Sequence, residues 1–314
     1  MTTATRTFLD RGSAGHGWLR RLRRWSLFAV LLGLLAVSVP EDVRPEAEFA
    51  LIKVEGAEGV DAADKVVWIL ALGSDARPGQ PVLRSRSDAI QLVGVNARTH
   101  HGVTIGIPRD SYVNIPGHGR DKINAAMVYG GPQATAQAVA GLTGIKPDYV
   151  FVTSFKGLIR MVSGIHGIRA KVTYAMSNDT NRFRPGMHEF KGTEALAFSR
   201  IRYGLPRGDF DRSMDQGQLL KGGLATALSK IQRPGFLERA LGLMARYTDT
   251  NVNPVELYRL AHTVLAVNPG KVRVCVLPGG TGYAGSASVV FPDLGFVRSL
   301  SADVRRDATV DRGC

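Results

Sequence analysis

The run Val66–Leu72 (VVWILAL) has seven consecutive apolar residues and no polar face. It is too short for an ordinary helix, so it reads as a strand that must be covered on both sides. Strand-like runs recur at Ile90–Val95, Val103–Ile107, Tyr149–Thr153, Ile168–Val172 and Lys271–Leu277. Helical patterns fall at Asn124–Tyr129, Pro132–Leu142, Phe155–Val162, Thr193–Phe198, Asp209–Lys230, Phe236–Tyr247 and Pro254–Val267. Strands interleaved with helices predict an α/β fold, a layered α-β-α domain around a central mixed sheet.

Ahead of this body lies a segment of different character. Residues 1–24 hold six arginines (Arg6, Arg11, Arg20, Arg21, Arg23, Arg24) against one acid, Asp10. Trp25–Val39 follows without an ionisable group and ends at Pro40-Glu41-Asp42. An Arg-rich flank beside an apolar run predicts a cytoplasmic arm (1–24) and an N-terminal transmembrane helix (25–39). The run is shorter than the ~20 residues a span usually needs, which snorkelling arginines and Trp18-Leu19 offset. A cleaved signal peptide, with Ala36 and Ser38 flanking the cut, and a buried core helix are the alternatives. Residues 40–64 are acidic and polar and read as a stalk, followed by a body at 65–306 and a tail at 307–314. On this topology the body lies outside the cell. The net charge of +13 therefore does not imply a nucleic-acid partner.

Several chemistries are excluded. Two cysteines, Cys275 and Cys314, make neither a disulfide scaffold nor a Cys-based zinc site. They pair with each other, or Cys275 is a buried strand thiol and Cys314 incidental. No P-loop, G-x-S-x-G or H-E-x-x-H occurs. Gly280-Thr-Gly-Tyr-Ala-Gly285 matches G-x-G-x-x-G, but no βαβ unit follows it, so it reads as a glycine-rich turn.

The informative residues are arginines and aspartates at strand ends. Gly73-Ser74-Asp75-Ala76-Arg77 closes the first strand, Arg84-Ser85-Arg86-Ser87-Asp88 precedes the second, and Pro108-Arg109-Asp110 closes the third. Such ends gather on one rim of a layered domain, where ligands bind. There Asp75 and Asp88 would converge as ligands for Mg²⁺, which takes one or two carboxylates plus phosphate oxygens and water. Lys122 stands at a helix start. Arg200 and Arg202 share a side if their segment is extended. Asp209, Arg212 and Gln216 lie on one helix face near its N-terminus. Arginine forks, a lysine and Mg²⁺ together suit a pyrophosphate or phosphodiester. Taken singly, each Arg-Asp doublet reads as a surface ion pair worth ~0–1 kcal/mol. The weight lies in all the blocks standing in one order.

From about Val66 to Leu228, about half of the chain, that order resembles the LytR-CpsA-Psr enzymes of Gram-positive cell envelopes. The matching blocks are ILALGSDAR, Arg86–Asp88, Ile107–Asp110, KINAAMVYGG (Lys122–Gly131), YVFVTSFKGL (Tyr149–Leu158), GMHEFKGTEALAFSRIRYG and GDFDRSMDQ. The resemblance implies transfer of a glycopolymer from a polyprenyl-pyrophosphate carrier to peptidoglycan, with polyprenyl phosphate leaving. It implies catalytic roles for Arg86, Arg109, Asp110, Arg200, Arg202 and Asp209, pyrophosphate binding by Lys122, Arg212 and Gln216, and Mg²⁺ on Asp75 and Asp88. The base is Asp110 or Asp209. An apolar lipid slot is expected between the sheet and the Asn124–Leu142 helices. A lipid-pyrophosphate hydrolase and a non-catalytic envelope-binding module are the alternatives. The chain departs from the family where Asp215 replaces an arginine, Gly217 a glutamine, and Gly164-Ile-His-Gly167 a Gly-Gly-Val. Loss of positive charge at Asp215 is expected to weaken phosphate binding or to alter polymer choice, and it leaves Arg212 and Gln216 in place.

Overall fold

In a computed structural model, the described residues are 48–61, 66–231, 234, 236, 242 and 247–314. The arm, the anchor at 25–39 and most of the helix expected over 236–247 lie outside them. Among the described residues no helix is long and apolar enough to cross a membrane.

The strands are β1 (Phe49–Lys53), β2 (Val67–Ser74), β3 (Ser87–Asn96), β4 (His101–Gly106), β5 (Tyr112–Ile115), β6 (Gly119–Lys122), β7 (Tyr149–Thr153), β8 (Ile168–Val172), β9 (Met176–Ser177), β10 (Arg182–Phe183), β11 (Gly186–Phe190), β12 (Thr248–Thr250), β13 (Val272–Val276), β14 (Gly279–Ala284) and β15 (Ala287–Pro292). The helices are α1 (Ala126–Thr143), α2 (Phe155–Gly164), α3 (Gly192–Arg200), α4 (Asp209–Lys230), α5 (Pro254–Leu265) and α6 (Leu294–Val304).

Among the described residues the main sheet has the order β12-β1-β7-β2-β3-β4-β13. It is mixed: β2 runs parallel to β7 but antiparallel to β3, and β13 runs parallel to β4. The expected layered α/β architecture is therefore present. One boundary was misplaced. Phe49–Lys53, read as stalk, is β1, paired with β7 and β12. Its FALIK sequence is too short to stand out beside the acidic residues around it.

The two faces of the sheet differ. On one, Leu70, Leu72, Leu92 and Val150 are fully buried against Met127 and Val139 of α1 and Val297 of α6. Helix α1 accommodates Pro132 by a break at Gly131, whose φ of 68° favours glycine. The break reproduces the two helical stretches read at Asn124–Tyr129 and Pro132–Leu142. On the other face the β2 residues of opposite parity, Ile69 and Ala71, look toward α2, α4 and α5 across a cavity. A smaller layer, β8 with β11 and α3, packs Phe183, Phe190 and Phe198 in a ring cluster against Leu219 of α4.

Cys275 and Cys314 are bonded, with Cα atoms 5.4 Å apart and a separation of 39 residues. The link ties the C-terminus to β13. Closing a loop of that length contributes about 3–4 kcal/mol through the unfolded chain.

Candidate active site

The site forms where β2 and β4 end and β3 begins. The pairing of β2 with β3 runs Gly73 opposite Ala89, then Ser74 opposite Ser87, with the register shift between them. Asp88 is the extra residue of that bulge. Bulges next to active sites re-aim a side chain, and Asp88 is aimed at Arg109, with which it makes a close ion pair. The loop carrying Arg109 is pinned by the chain entering α1: Ile123 N donates to Ser111 O (2.8 Å) and Asn124 N to Arg109 O (3.2 Å). The same entry sets Lys122 Nζ 2.9 Å from Asp110 Oδ1.

Arg109 is the hub. Burial disfavours its charge, but Asp88 above all, then Asp110 and Asp209, outweigh this and hold it more firmly protonated than usual. Arg212 makes a close ion pair with Asp209 one helical turn away. Burial dominates its environment and lowers its pKa, Asp209 opposes this, and the neighbouring charges of Arg109 and Arg202 add to the lowering. An arginine stays charged regardless. Arg109 Nε and Arg212 Nε are buried without a hydrogen-bond partner. This cluster of cations needs an anion to balance it.

A cavity of about 290 Å³ opens among these groups, lined by Asp88, Arg109, Arg200, Arg202, Arg212 and Gln216. Six of the sequence-derived site residues thus meet in one place. Arg200 lies with its guanidinium 4.4 Å from the centre of the Phe155 ring. The segment Arg200–Arg202 is not extended throughout, because α3 continues to Arg200 and only Ile201 is extended. Both guanidiniums reach the cavity by this helix end. Gln216 donates its amide N–H to Ser199 O at 3.0 Å, tying α4 to α3.

Asp75, Arg86, Asp110, Lys122 and Asp209 do not line this cavity. Asp110 and Lys122 flank Arg109. Asp75 N donates to Arg86 O at 2.9 Å across the strand ends. Burial raises the Asp75 pKa, and the charge of Asp88 raises it further against the pull of Arg86, Arg77 and Arg109. Two carboxylates that repel one another beside an anion site are a donor set suited to Mg²⁺. Among the described residues there is no group of three or more His, Cys, Asp or Glu that could hold a metal. A metal here would depend on ligand oxygens as well.

The cavity continues into a larger one of about 1270 Å³, whose lining includes Ile69, Val93, Val162, Leu224 and Val264. The two share Ala71, Phe151, Leu158, Met161, Leu219 and Leu220. Small-molecule pockets span ~300–1,000 Å³, so this one suits a long apolar chain. It corrects the expected slot between the sheet and Asn124–Leu142. That face is filled by fully buried leucines and α1, whereas the opposite face carries Ala71, Gly102 and Thr104, too small to fill the space under α2, α4 and α5.

Sequence reasoning missed Gln91. Its Nε2 donates to Ser213 O (2.9 Å) and its Oε1 accepts from Thr104 (2.9 Å), fastening α4 to the sheet beside the cavity. The signal was a polar residue inside the apolar run of β3. The environment of Asp215 also differs from expectation. It is 2% exposed and lies outside the cavity lining, with Asp211 as its charged neighbour. Burial, then the Asp211 charge, pushes its pKa up to about 7. Asp211 in turn is held by Arg207 (Nε 2.8 Å, backbone N 2.8 Å).

The raised pKa has a stability consequence. Between about pH 4 and pH 7 the folded chain holds a proton that the unfolded chain has released, so stability falls as pH rises through this window. Asp215→Asn removes the penalty. The variant is expected to gain roughly 2–4 kcal/mol at pH 8 and to flatten the pH 4–7 limb of a denaturation profile. An unchanged profile would place the proton elsewhere.

A model of the LytR_cpsA_psr family matches residues 40–300. The chain belongs to this family. It is 31% identical over 193 residues to a Bacillus anthracis protein named polyisoprenyl-teichoic acid–peptidoglycan teichoic acid transferase TagU, an alignment covering 61% of this chain and 62% of that one. Two solved structures share the fold. Protein gbs0355 of Streptococcus agalactiae superposes with a TM-score of 0.69 at 19% identity, covering 80% of this chain and 91% of that one. The family protein YwtF (TagT), with bound octaprenyl pyrophosphate lipid, does so with a TM-score of 0.62 at 23% identity, covering 85% and 98%.

Proposed function

We propose that the chain transfers a glycopolymer from a polyprenyl-pyrophosphate carrier to peptidoglycan, anchored by its apolar N-terminal segment with the body outside the membrane. The supporting observation is the continuity of the two cavities: a large apolar chamber ends at a cluster of guanidiniums. A ligand that satisfies both ends has a long hydrocarbon tail and a strongly anionic head. The relatives' names add weight, since TagU is named for polyisoprenyl-linked teichoic acid transfer.

In this reading the tail fills the chamber under α2, α4 and α5, and the pyrophosphate lies among Arg109, Arg200, Arg202 and Arg212. An acceptor hydroxyl forms the new P–O bond at the sugar-bearing phosphorus. The bond to the bridging oxygen breaks, polyprenyl phosphate departs, and the acceptor proton passes to Asp110 or Asp209. The guanidiniums balance charge that grows on the leaving phosphate, which is the larger part of what phosphoryl transfer asks of a protein. Lys122 holds Asp110 in place, and Gln216 keeps α4 against α3. Asp75 and Asp88 would hold Mg²⁺, which when bound supplies further neutralisation of phosphate charge.

The test is transfer from a lipid-linked donor with and without peptidoglycan acceptor. Wild type is expected to require the acceptor, and Arg200→Ala, in the cavity lining, is expected to lower transfer while melting like wild type. Full turnover without acceptor would identify a hydrolase. Lipid binding without turnover would identify a binding module.

A further inference from the structure

The glycine-rich run Gly280–Gly285, read from sequence as a turn, is strand β14 of a hairpin as far as Ala284 and turns at Gly285 into β15, and the transfer reaction makes no use of it. We propose that this hairpin and the edge of β5–β6 form the docking face for the acceptor, a glycan strand bearing peptide carboxylates. The inference rests on the transfer reaction above and assigns the acceptor's place in it.

The hairpin is attached to the catalytic loop itself. Val290 N donates to Asp110 O at 2.9 Å, and Ser111 bridges to Val290. Beside this attachment lies an exposed aromatic and cationic surface. Phe291 is 41% exposed and meets the Tyr112 ring edge-on, with centroids 6.0 Å apart. Arg120 places its guanidinium 4.8 Å from the Tyr112 centroid and makes no ion pair among the described residues. Lys122 stands opposite Tyr112 in the β5–β6 register and reaches Asp110. The glycines keep the floor low. A Cβ on Gly282 would stand 2.9 Å from the Phe291 ring, and Gly280 faces open space.

An exposed ring offers a flat apolar surface to the C–H face of a pyranose. A guanidinium stacked on a ring but without an ion pair offers a charge-assisted fork to a carboxylate. Placement favours the acceptor over the donor. In-line displacement brings the nucleophile in opposite the leaving group. The leaving lipid phosphate points to the apolar chamber, and neither Asp110 nor Lys122 lines that chamber.

The test uses the full chain and a soluble disaccharide with its peptide stem, offered with free or amidated carboxylates. Wild type and Arg200→Ala are expected to bind the free-acid fragment equally. Phe291→Ala is expected to weaken both fragments about tenfold. Arg120→Ala, at an exposed position that does not threaten folding, is expected to weaken only the free-acid fragment, again about tenfold. In transfer assays both losses fall on the acceptor KM and not on the donor KM. Absence of fragment binding by wild type, wild-type binding by both variants, or a loss confined to the donor KM would each overturn the proposal. Fragment binding by a wild type that performs no transfer would instead refute the transfer reading and leave the docking face standing.

Discussion

Arg109→Ala is expected to lower the transfer rate by about 10²–10³-fold, the scale lost when one preorganised charge-stabilising group is removed. Arg109 feels the charges of Asp88, Asp110 and Asp209 together. Without it the anion site loses a guanidinium and Asp88 loses its ion-pair partner, while Asp110 keeps Lys122 and Asp209 keeps Arg212, so donor pyrophosphate meets a weaker attraction and one added repulsion. Asp88 and Asp110 retain 20% and 27% side-chain exposure, so water can solvate them, Asp209 keeps Arg212, and the fold is expected to survive. Arg109→Lys is expected to recover only part of the rate, because an ammonium cannot present a planar fork to two partners. Steady-state transfer kinetics beside a thermal melt measure both effects. A rate within threefold of wild type in Arg109→Ala would remove the hub from the account.

Ala71→Phe is the second large effect. Ala71 borders both cavities, and a phenyl ring there stands in the passage between head and tail. Excluding a stretch of about four buried CH₂ groups costs ~3 kcal/mol, roughly 100-fold in affinity. The donor KM is therefore expected to rise about 100-fold for a long-tailed carrier and to stay near wild type for a donor whose tail is too short to enter the chamber. Equal effects on both donors would show a general disturbance of β2. No effect on either would mean that the chamber does not take the tail.

Much of this architecture was legible in the sequence, for identifiable reasons. Val66–Leu72 declared a doubly covered strand because burial on both faces erases alternation, and the Arg and Asp residues converged because the antiparallel β2-β3-β4 order puts the ends of β2 and β4 beside the start of β3 on one rim. The elements that escaped are those whose signal is short or tertiary. β1 is five residues in a polar stretch. The β14–β15 hairpin is built largely of glycine and small residues. The side chosen by the apolar chamber depends on which face of the sheet carries small residues, a comparison that needs the register of β2, β3 and β4 together. Asp215 read as a lost phosphate-binding charge because helical spacing places it one turn from Arg212. A rotation of about 60° puts it instead on the stripe with Asp211, buried away from the cavity lining.

The central claim is that the guanidinium cluster and the apolar chamber are two ends of one lipid-pyrophosphate site. Mass spectrometry of the lipid that co-purifies with the detergent-extracted full chain tests it most directly. A polyprenyl phosphate or pyrophosphate, with or without attached sugars, is expected from wild type and is expected to be lost from Ala71→Phe. Recovery of ordinary membrane phospholipid alone, or of the same isoprenoid in equal amount from both proteins, would contradict it.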